Sequence, residues 1–329
     1  MKVASFFAGV GGIDLGFEQA GFETIYANEL DTNAVKTYES NFNIKVDNRD
    51  INLVHSNEIP DFNIMVAGFP CQAFSIAGER KGFEDEKGRG ILFFELERIF
   101  KEKNPDIVFL ENVKNLTTHD NGNTFKVIIE KLEDAGYHVK YKVLNTMKYG
   151  NLPQNRERIY IVGFKDLNLF NNFSFPETCE LTNLLGSVIN FSEIVEPKYY
   201  YTREKYPHYF CNSDTYPGRK VSLNLETEIN EKNQIYQIRR GMYVRKNMSN
   251  VCPTLTANMG TGGHNVPLIY TDYGIRKLTP KECFKLQGFP EDFILPEIKD
   301  AELYKQAGNS VSVPVIKSIA TQIYNALNN

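Results

Sequence analysis

The chain has no C-x-x-C pair, no histidine at zinc-ligand spacing, and five cysteines (Cys71, Cys179, Cys211, Cys252, Cys283) scattered through 329 residues. An odd, dispersed set indicates neither a disulfide framework nor a structural metal. No apolar run approaches the roughly 18 residues that a membrane span requires. The start, Met1-Lys2-Val3-Ala4-Ser5-Phe6-Phe7, has the basic-then-apolar look of a secretion signal, but Asp14 and Glu18 interrupt it and no small-residue cleavage site follows. Internal repeats and low-complexity tracts are also missing. The expectation is a soluble cytoplasmic protein with no metal and no membrane contact.

What is present suits a large core. Hydrophobic residues make up 42% of the chain, and the length suggests about two domains. A net charge of −4 argues mildly against a protein that coats polyanions, but the sum hides an asymmetry. Between Glu231 and Lys285 nine basic residues stand against three acidic ones. That stretch reads either as a solvated basic face or as a phosphate-binding surface.

The first half alternates short apolar runs with helical patterns. Val3 to Phe7, Glu23 to Ala27, Phe62 to Ala67, Asp106 to Leu110, Tyr137 to Leu144 and Arg158 to Phe164 read as strands. Asp31 and Asn121 are placed to cap helices, and Leu92, Leu96, Ile99 and Phe100 keep helical spacing. The alternation predicts an α/β fold with a mostly parallel sheet, ligands gathering at the carboxyl ends of its strands. From about Phe175 to Tyr270 the segments turn short, polar and irregular, with no sustained helical stripe. A helix capped by Thr279-Pro280-Lys281-Glu282 and a stripe of Ile316, Ile319, Ala320, Ile323 and Leu327 then resume the earlier style. The expected organisation is one discontinuous domain, 1–174 with 271–329, interrupted by a loop-rich recognition domain, 175–270.

Three constellations carry chemistry. Phe7-Ala8-Gly9-Val10-Gly11-Gly12 follows a strand and opens a helix, and Glu29 ends the next strand, where it is placed to accept hydrogen bonds from ribose hydroxyls. Asp14 stands where a dinucleotide site prefers Gly or Ala, so a nucleoside cofactor without pyrophosphate fits better, with Asp50 as a further carboxylate for an adenine amino group. Cys71, in Gly68-Phe69-Pro70-Cys71-Gln72, follows one strand and Glu111-Asn112-Val113 another, so a thiol and a candidate acid share one sheet edge. No histidine lies near Cys71 in sequence, which disfavours papain-like hydrolysis. Arg156 and Arg158, two apart on an extended segment, either act on one ligand or form a surface ion-pair set.

These motifs, with Gln154-Asn155-Arg156-Glu157-Arg158 and Gly308-Asn309-Ser310-Val311, occur in an order that resembles the bacterial DNA (cytosine-5)-methyltransferases of type II restriction–modification systems. The resemblance runs over essentially the whole chain. The Asp/Asn/Ser-Pro-Pro-aromatic tetrad of the amino-group DNA methyltransferases is absent.

The resemblance implies a Rossmann-like S-adenosylmethionine-dependent methyltransferase domain with a smaller target-recognition domain. It assigns Phe7, Gly9, Gly11, Gly12, Glu29, Leu30, Asp50, Ile51, Pro70, Leu92, Asn309 and Ser310 to S-adenosyl-L-methionine, with S-adenosyl-L-homocysteine as product. Cys71 would attack C6 of cytosine, Glu111 would protonate N3, and Arg158, with Arg156, would hold the O2 side. The glycine-rich basic stretch containing Ser75, Arg80, Lys81 and Arg89 is similar to the loop that closes over DNA in this family. Arg239, Arg240, Arg245, Thr254, Leu255, Gly262 and Gly263 would meet double-stranded DNA at a specific short site. A monomer is expected, with any cognate restriction endonuclease acting separately. Departures are small: Arg49-Asp50-Ile51 replaces the usual Gly-Asp-Ile, and Glu86-Lys87-Gly88-Arg89-Gly90 stands where a shorter spacing is expected. The alternatives are the tRNA cytosine-5 branch, whose Cys-Phe-Thr signature is replaced here by Pro253-Thr254-Leu255-Thr256, and a catalytically silent DNA-binding protein on the same scaffold.

Overall fold

Apolar runs with no polar alternation must be covered on both faces. Val3, Ala4, Ile64, Met65, Val66, Ala67, Ile107, Phe109 and Leu110 are accordingly all fully buried. The computed structural model describes residues 1–70, 92–210, 223–239, 243–247, 250–261 and 265–328. Its strands in chain order are β1 (Lys2–Phe6), β2 (Glu23–Asn28), β3 (Ile64–Gly68), β4 (Ile107–Val113), β5 (His138–Asn145), β6 (Gln154–Asn155), β7 (Glu157–Phe164), β8 (Tyr236–Arg239), β9 (Tyr243–Lys246), β10 (Cys252–Pro253), β11 (Leu268–Thr271) and β12 (Gly274–Lys277). The chain divides into two compact units, one of Met1–Asn145, Glu157–Thr178 and Val311–Asn329, the other of Thr146–Arg156 and Cys179–Ser310.

The first unit holds a six-stranded sheet in the order β2-β1-β3-β4-β7-β5. β2, β1, β3 and β4 run parallel, and β7 is antiparallel to both of its neighbours. Helix Leu92–Lys103 buries Leu96, Ile99 and Phe100 of the expected stripe, with Phe93 added and Leu92 only half-buried. Helix Val313–Leu327 buries Val315, Ile316, Ile319, Ala320 and Ile323. Asp31 caps helix Thr32–Glu39, its Oδ1 accepting from the amides of Asn33 and Ala34 at 2.9 and 3.4 Å. Asn121 does not cap the next helix. It adopts a left-handed conformation (φ 54°), and Gly122 is the N-cap of helix Asn123–Asp134. A short amide side chain tolerates that region, so the turn is completed one residue later than the cap signal suggests.

The second unit contains an antiparallel sheet, β12-β11-β8-β9, and the parallel pair β10-β6. Its core gathers Tyr201, Tyr209, Phe210, Leu223, Leu225, Tyr236, Ile238, Leu268 and Ile275. Each of the four antiparallel strands is only four residues long, too short to give a sustained pattern in sequence. The Thr279 capping box forms as expected: the Glu282 amide donates to Thr279 Oγ1 at 3.2 Å and the Thr279 amide to Glu282 Oε2 at 2.7 Å. Glu282 also takes a two-pronged ion pair from fully buried Arg276, both bonds 2.8 Å. This pair joins β12 to helix Pro280–Leu286, and helices Pro280–Leu286 and Asp300–Asn309 belong to the second unit. Among the described residues, no helix is long and apolar enough to cross a membrane.

Candidate active site

In a parallel sheet the carboxyl ends of the strands lie at one edge, and the order β1-β3-β4 sets the neighbours there. Gly68, the last residue of β3, is in register with Glu111 of β4. A Cβ built on Gly68 would stand 3.6 Å from Glu111 Oε2, ordinary contact distance. Arg158 enters from β7 opposite Val113, and its Nε lies 3.2 Å from Glu111 Oε1. The two side chains are 13% and 10% exposed, so solvent screens the pair weakly. Arg158 Nη1 donates to the Glu157 carbonyl at 2.8 Å, which fixes the plane of the guanidinium.

Asn112, not singled out as a site residue by sequence, secures this edge. Its buried Nδ2 donates to the Phe69 carbonyl at 2.9 Å, and its Oδ1 accepts from the Val113 amide at 2.8 Å. Phe69 is buried and sets its ring 5.7 Å from that of Phe93. Gly68-Phe69-Pro70 is therefore anchored beside Glu111, with Pro70 at the surface. The signal for Asn112 was its place in Glu111-Asn112-Val113 at the end of an apolar strand. Cys71 follows Pro70 directly and, with Ser75, Arg80, Lys81 and Arg89, lies outside the described residues. Cys252 and Cys283 are fully buried, and desolvation pushes both thiols up. Such thiols are inert packing rather than nucleophiles.

The glycine turn closes on Glu29. Phe7 and Gly9 both take positive φ, 52° and 58°, a conformation a phenylalanine holds only where its surroundings impose it. Glu29 Oε2 accepts the Gly9 amide and Oε1 the Asp31 amide, each at 2.8 Å. Burial raises the Glu29 carboxyl and these amides partly offset that rise. The Leu30 amide donates to the same carboxylate. A Cβ built on Gly9 meets nothing within 4 Å, so the turn is open on that side. Gly11 has a different reason: a Cβ there would stand 2.3 Å from the Phe42 ring. Gly12 begins helix Gly12–Glu18.

The neighbouring carboxylate arrives through Asn28, whose Nδ2 donates to the carbonyls of Asp47 and Arg49, both at 2.9 Å. Asp50 Oδ1 accepts the Asn52 amide at 3.0 Å and its side-chain amide at 2.6 Å. Ile51 is buried, half-buried Leu92 packs against the same core, and Leu30 is exposed.

In the second unit, Asn155, Gln237, Arg239, Arg245, Lys246 and Thr254 line a groove of about 500 Å³. Arg245 is steadied by Gln237, which accepts from its Nη2 at 2.7 Å. Thr254 Oγ1 donates to the Asn155 carbonyl at 2.6 Å. The basic stretch is not one surface: Arg276 is sealed against Glu282, Lys281 and Lys285 both pair with Glu291, and Lys232 pairs with Asp272. Arg239, Arg245 and Lys246 share the groove. Arg240, Gly262 and Gly263 lie outside the described residues. Arg156 donates to the carbonyls of Leu255 (2.9 Å), Gly308 (3.4 Å) and Ser310, all within its own unit. Asn309 is exposed at the end of helix Asp300–Asn309, and Ser310 is buried beyond it.

A mostly parallel sheet with a glycine turn facing a carboxylate at one strand end, and a Glu–Arg pair at another, is a Rossmann-like arrangement with polar groups gathered at its strand ends. Residues 1–325 match the family described as C-5 cytosine-specific DNA methylase. The chain belongs to that family and is a DNA cytosine-5 methyltransferase. It is 56% identical over 328 residues to the type II methyltransferase M.Bsp6I of Bacillus sp. (strain RFL6), covering 99% of each chain. To M.HaeII of Haemophilus aegyptius it is 42% identical, covering 99% of this chain and 94% of that one. The fold also matches the crystal structure of DNMT2 from Spodoptera frugiperda, with a TM-score of 0.73 at 19% identity over 98% of this chain and 99% of that one.

Proposed function

We propose that the enzyme methylates C5 of a cytosine turned out of a short duplex DNA site, through a transient bond between Cys71 and C6, and so protects that site from a cognate endonuclease. The observation that carries this reading is the Glu111–Arg158 pair at 3.2 Å beside the end of β3, from which Pro70-Cys71 continues.

Cytosine C5 is too electron-poor to take a methyl group directly, so covalent addition replaces one difficult step by easier ones. The Cys71 thiolate adds to C6 while Glu111 delivers a proton to N3, and the electron pair moves onto C5. Arg158 holds Glu111 in place and offers hydrogen-bond donors on the O2 side. S-Adenosylmethionine, when bound, supplies a methyl group electrophilic enough to be taken by C5. Loss of the C5 proton to a base then expels the Cys71 thiolate, and N3 returns its proton to Glu111, which restores the ring and the acid. C6 of a stacked base is out of reach, so the cytosine leaves the duplex at a cost of roughly a few kcal/mol.

The open side of Gly9 and the Glu29 carboxylate beside it fit a nucleoside ribose approaching the turn. The groove bearing Arg239, Arg245 and Lys246 suits duplex DNA.

The test combines labelled methyl transfer with trapping. Active enzyme should label duplex DNA and not tRNA, and should attach covalently to duplexes carrying 5-fluorocytosine, whose fluorine cannot leave as a proton. Cys71→Ala should lose both signals and keep S-adenosylhomocysteine binding. Activity on tRNA alone, or retained turnover without Cys71, refutes the reading.

A further inference from the structure

Arg156 and Arg276 are the largest fully buried side chains among the described residues; Arg276 is neutralised by Glu282, so where the hydrogen bonds of Arg156 go is decisive. One guanidinium reaches the Leu255 carbonyl, two residues beyond β10, and the carbonyls of Gly308 and Ser310, which flank Asn309. The two segments it joins also meet backbone to backbone. A Cβ built on Gly308 would stand 2.1 Å from the Thr256 carbonyl carbon and 2.4 Å from the Ala257 nitrogen. Gln154 accepts the Leu255 amide at 3.3 Å and donates to Gln287 Oε1 at 3.1 Å; Gln287 in turn donates to the Ala307 carbonyl at 2.7 Å. A planar fork serves three carbonyls in one geometry, which a lysine ammonium cannot reproduce.

We propose that Arg156 is a positioning residue that makes Thr254-Leu255 and Gly308-Asn309-Ser310 one rigid piece, so that occupancy of the methyl-donor site and affinity for DNA are linked through it. The proposal rests on the assignment of Thr254-Leu255 to DNA and of Asn309 and Ser310 to the donor. A piece that contacts both ligands and cannot bend between them transmits the placement of one to the other, and the linkage is reciprocal.

The experiment measures duplex affinity of the full-length enzyme with and without saturating S-adenosylhomocysteine, on a duplex carrying the site found by bisulfite sequencing of a host expressing the gene. The wild type should bind DNA at least about fivefold tighter with S-adenosylhomocysteine, within the usual range of coupling. Arg156→Lys should bring that factor to within about twofold of unity. Arg239→Gln, outside the clamp, should weaken DNA binding by the same factor with and without S-adenosylhomocysteine. A wild type without coupling, an Arg156→Lys variant with full coupling, or an Arg239→Gln variant that loses it overturns the proposal. If Arg156→Lys does not fold, Gln287→Met, which removes the bond to Ala307 and leaves Arg156 in place, should lower the factor, and an unchanged factor overturns the proposal. An enzyme that methylates DNA but fails these tests leaves the function standing; one that binds neither ligand refutes the function itself.

Discussion

Two arginines stand two residues apart in the chain and serve opposite purposes. Arg158, in the first unit, faces the Glu111 carboxylate at a strand end, and the pair keeps some exposure. Arg156, in the second, is 2% exposed and directed at main-chain carbonyls. At the strand edge two charged side chains face each other. In the clamp the guanidinium holds stretches of backbone together. Spacing alone put the two arginines in one class, and their partners separate them.

Breaking the strand edge should have the largest effect. Glu111→Gln keeps the side-chain shape but removes the acid, so kcat should fall by roughly 10²- to 10⁴-fold, the range for a lost general acid. Single-turnover methylation with S-adenosylhomocysteine binding as control checks this, and a loss under tenfold would remove Glu111 from the chemistry.

The contrast is sharpened by Asp14, a sealed polar group of the first unit. Its fully buried carboxyl accepts from Ser5 Oγ at 2.9 Å and Tyr38 OH at 3.0 Å, and burial pushes it up to about 7. The native state therefore holds this proton longer than the unfolded chain does. The stability it contributes is complete below the ordinary value of 3.8 and is lost as pH rises through about 7. Asp14→Asn does not titrate. The wild-type stability relative to the variant should therefore decline by about 1.4 kcal/mol per pH unit between roughly pH 5 and pH 7 and level off above that, read from chemical denaturation. A constant difference would mean that native Asp14 is already ionised below that window and that burial does not raise its carboxyl.

The smallest effect is expected at the exposed rim of the groove. Arg239→Gln should weaken duplex binding about equally across sequences and reduce the salt-dependence slope by about 1, as loss of one phosphate contact does. A change confined to one base position would instead make Arg239 a base reader.

Much of the first unit was legible in the sequence. Runs such as Ile64-Met65-Val66-Ala67 and the stripe of Leu92, Leu96, Ile99 and Phe100 announce their elements because burial on both faces or on one face imposes a period. The second unit was less so: its four-residue strands carry too few residues to show one. Gly11 and Gly9 look alike in sequence, yet one accommodates the Phe42 ring and the other faces open space. The basic stretch likewise counted Arg276 with Arg239, although Glu282 takes Arg276 out of solvent.

The sequence by itself determined the parallel α/β layout, the order of the five motifs and the chemistry of their side chains, because those depend on local period and residue type. Only the tertiary structure decided which partners each polar group meets: Glu111 with Arg158, Asn112 with the Phe69 carbonyl, Arg156 with carbonyls from residue 255 and from residues 308 and 310. Those pairings span up to 154 positions of chain. They arise from the requirement that buried donors and acceptors be matched, a condition that no local pattern records.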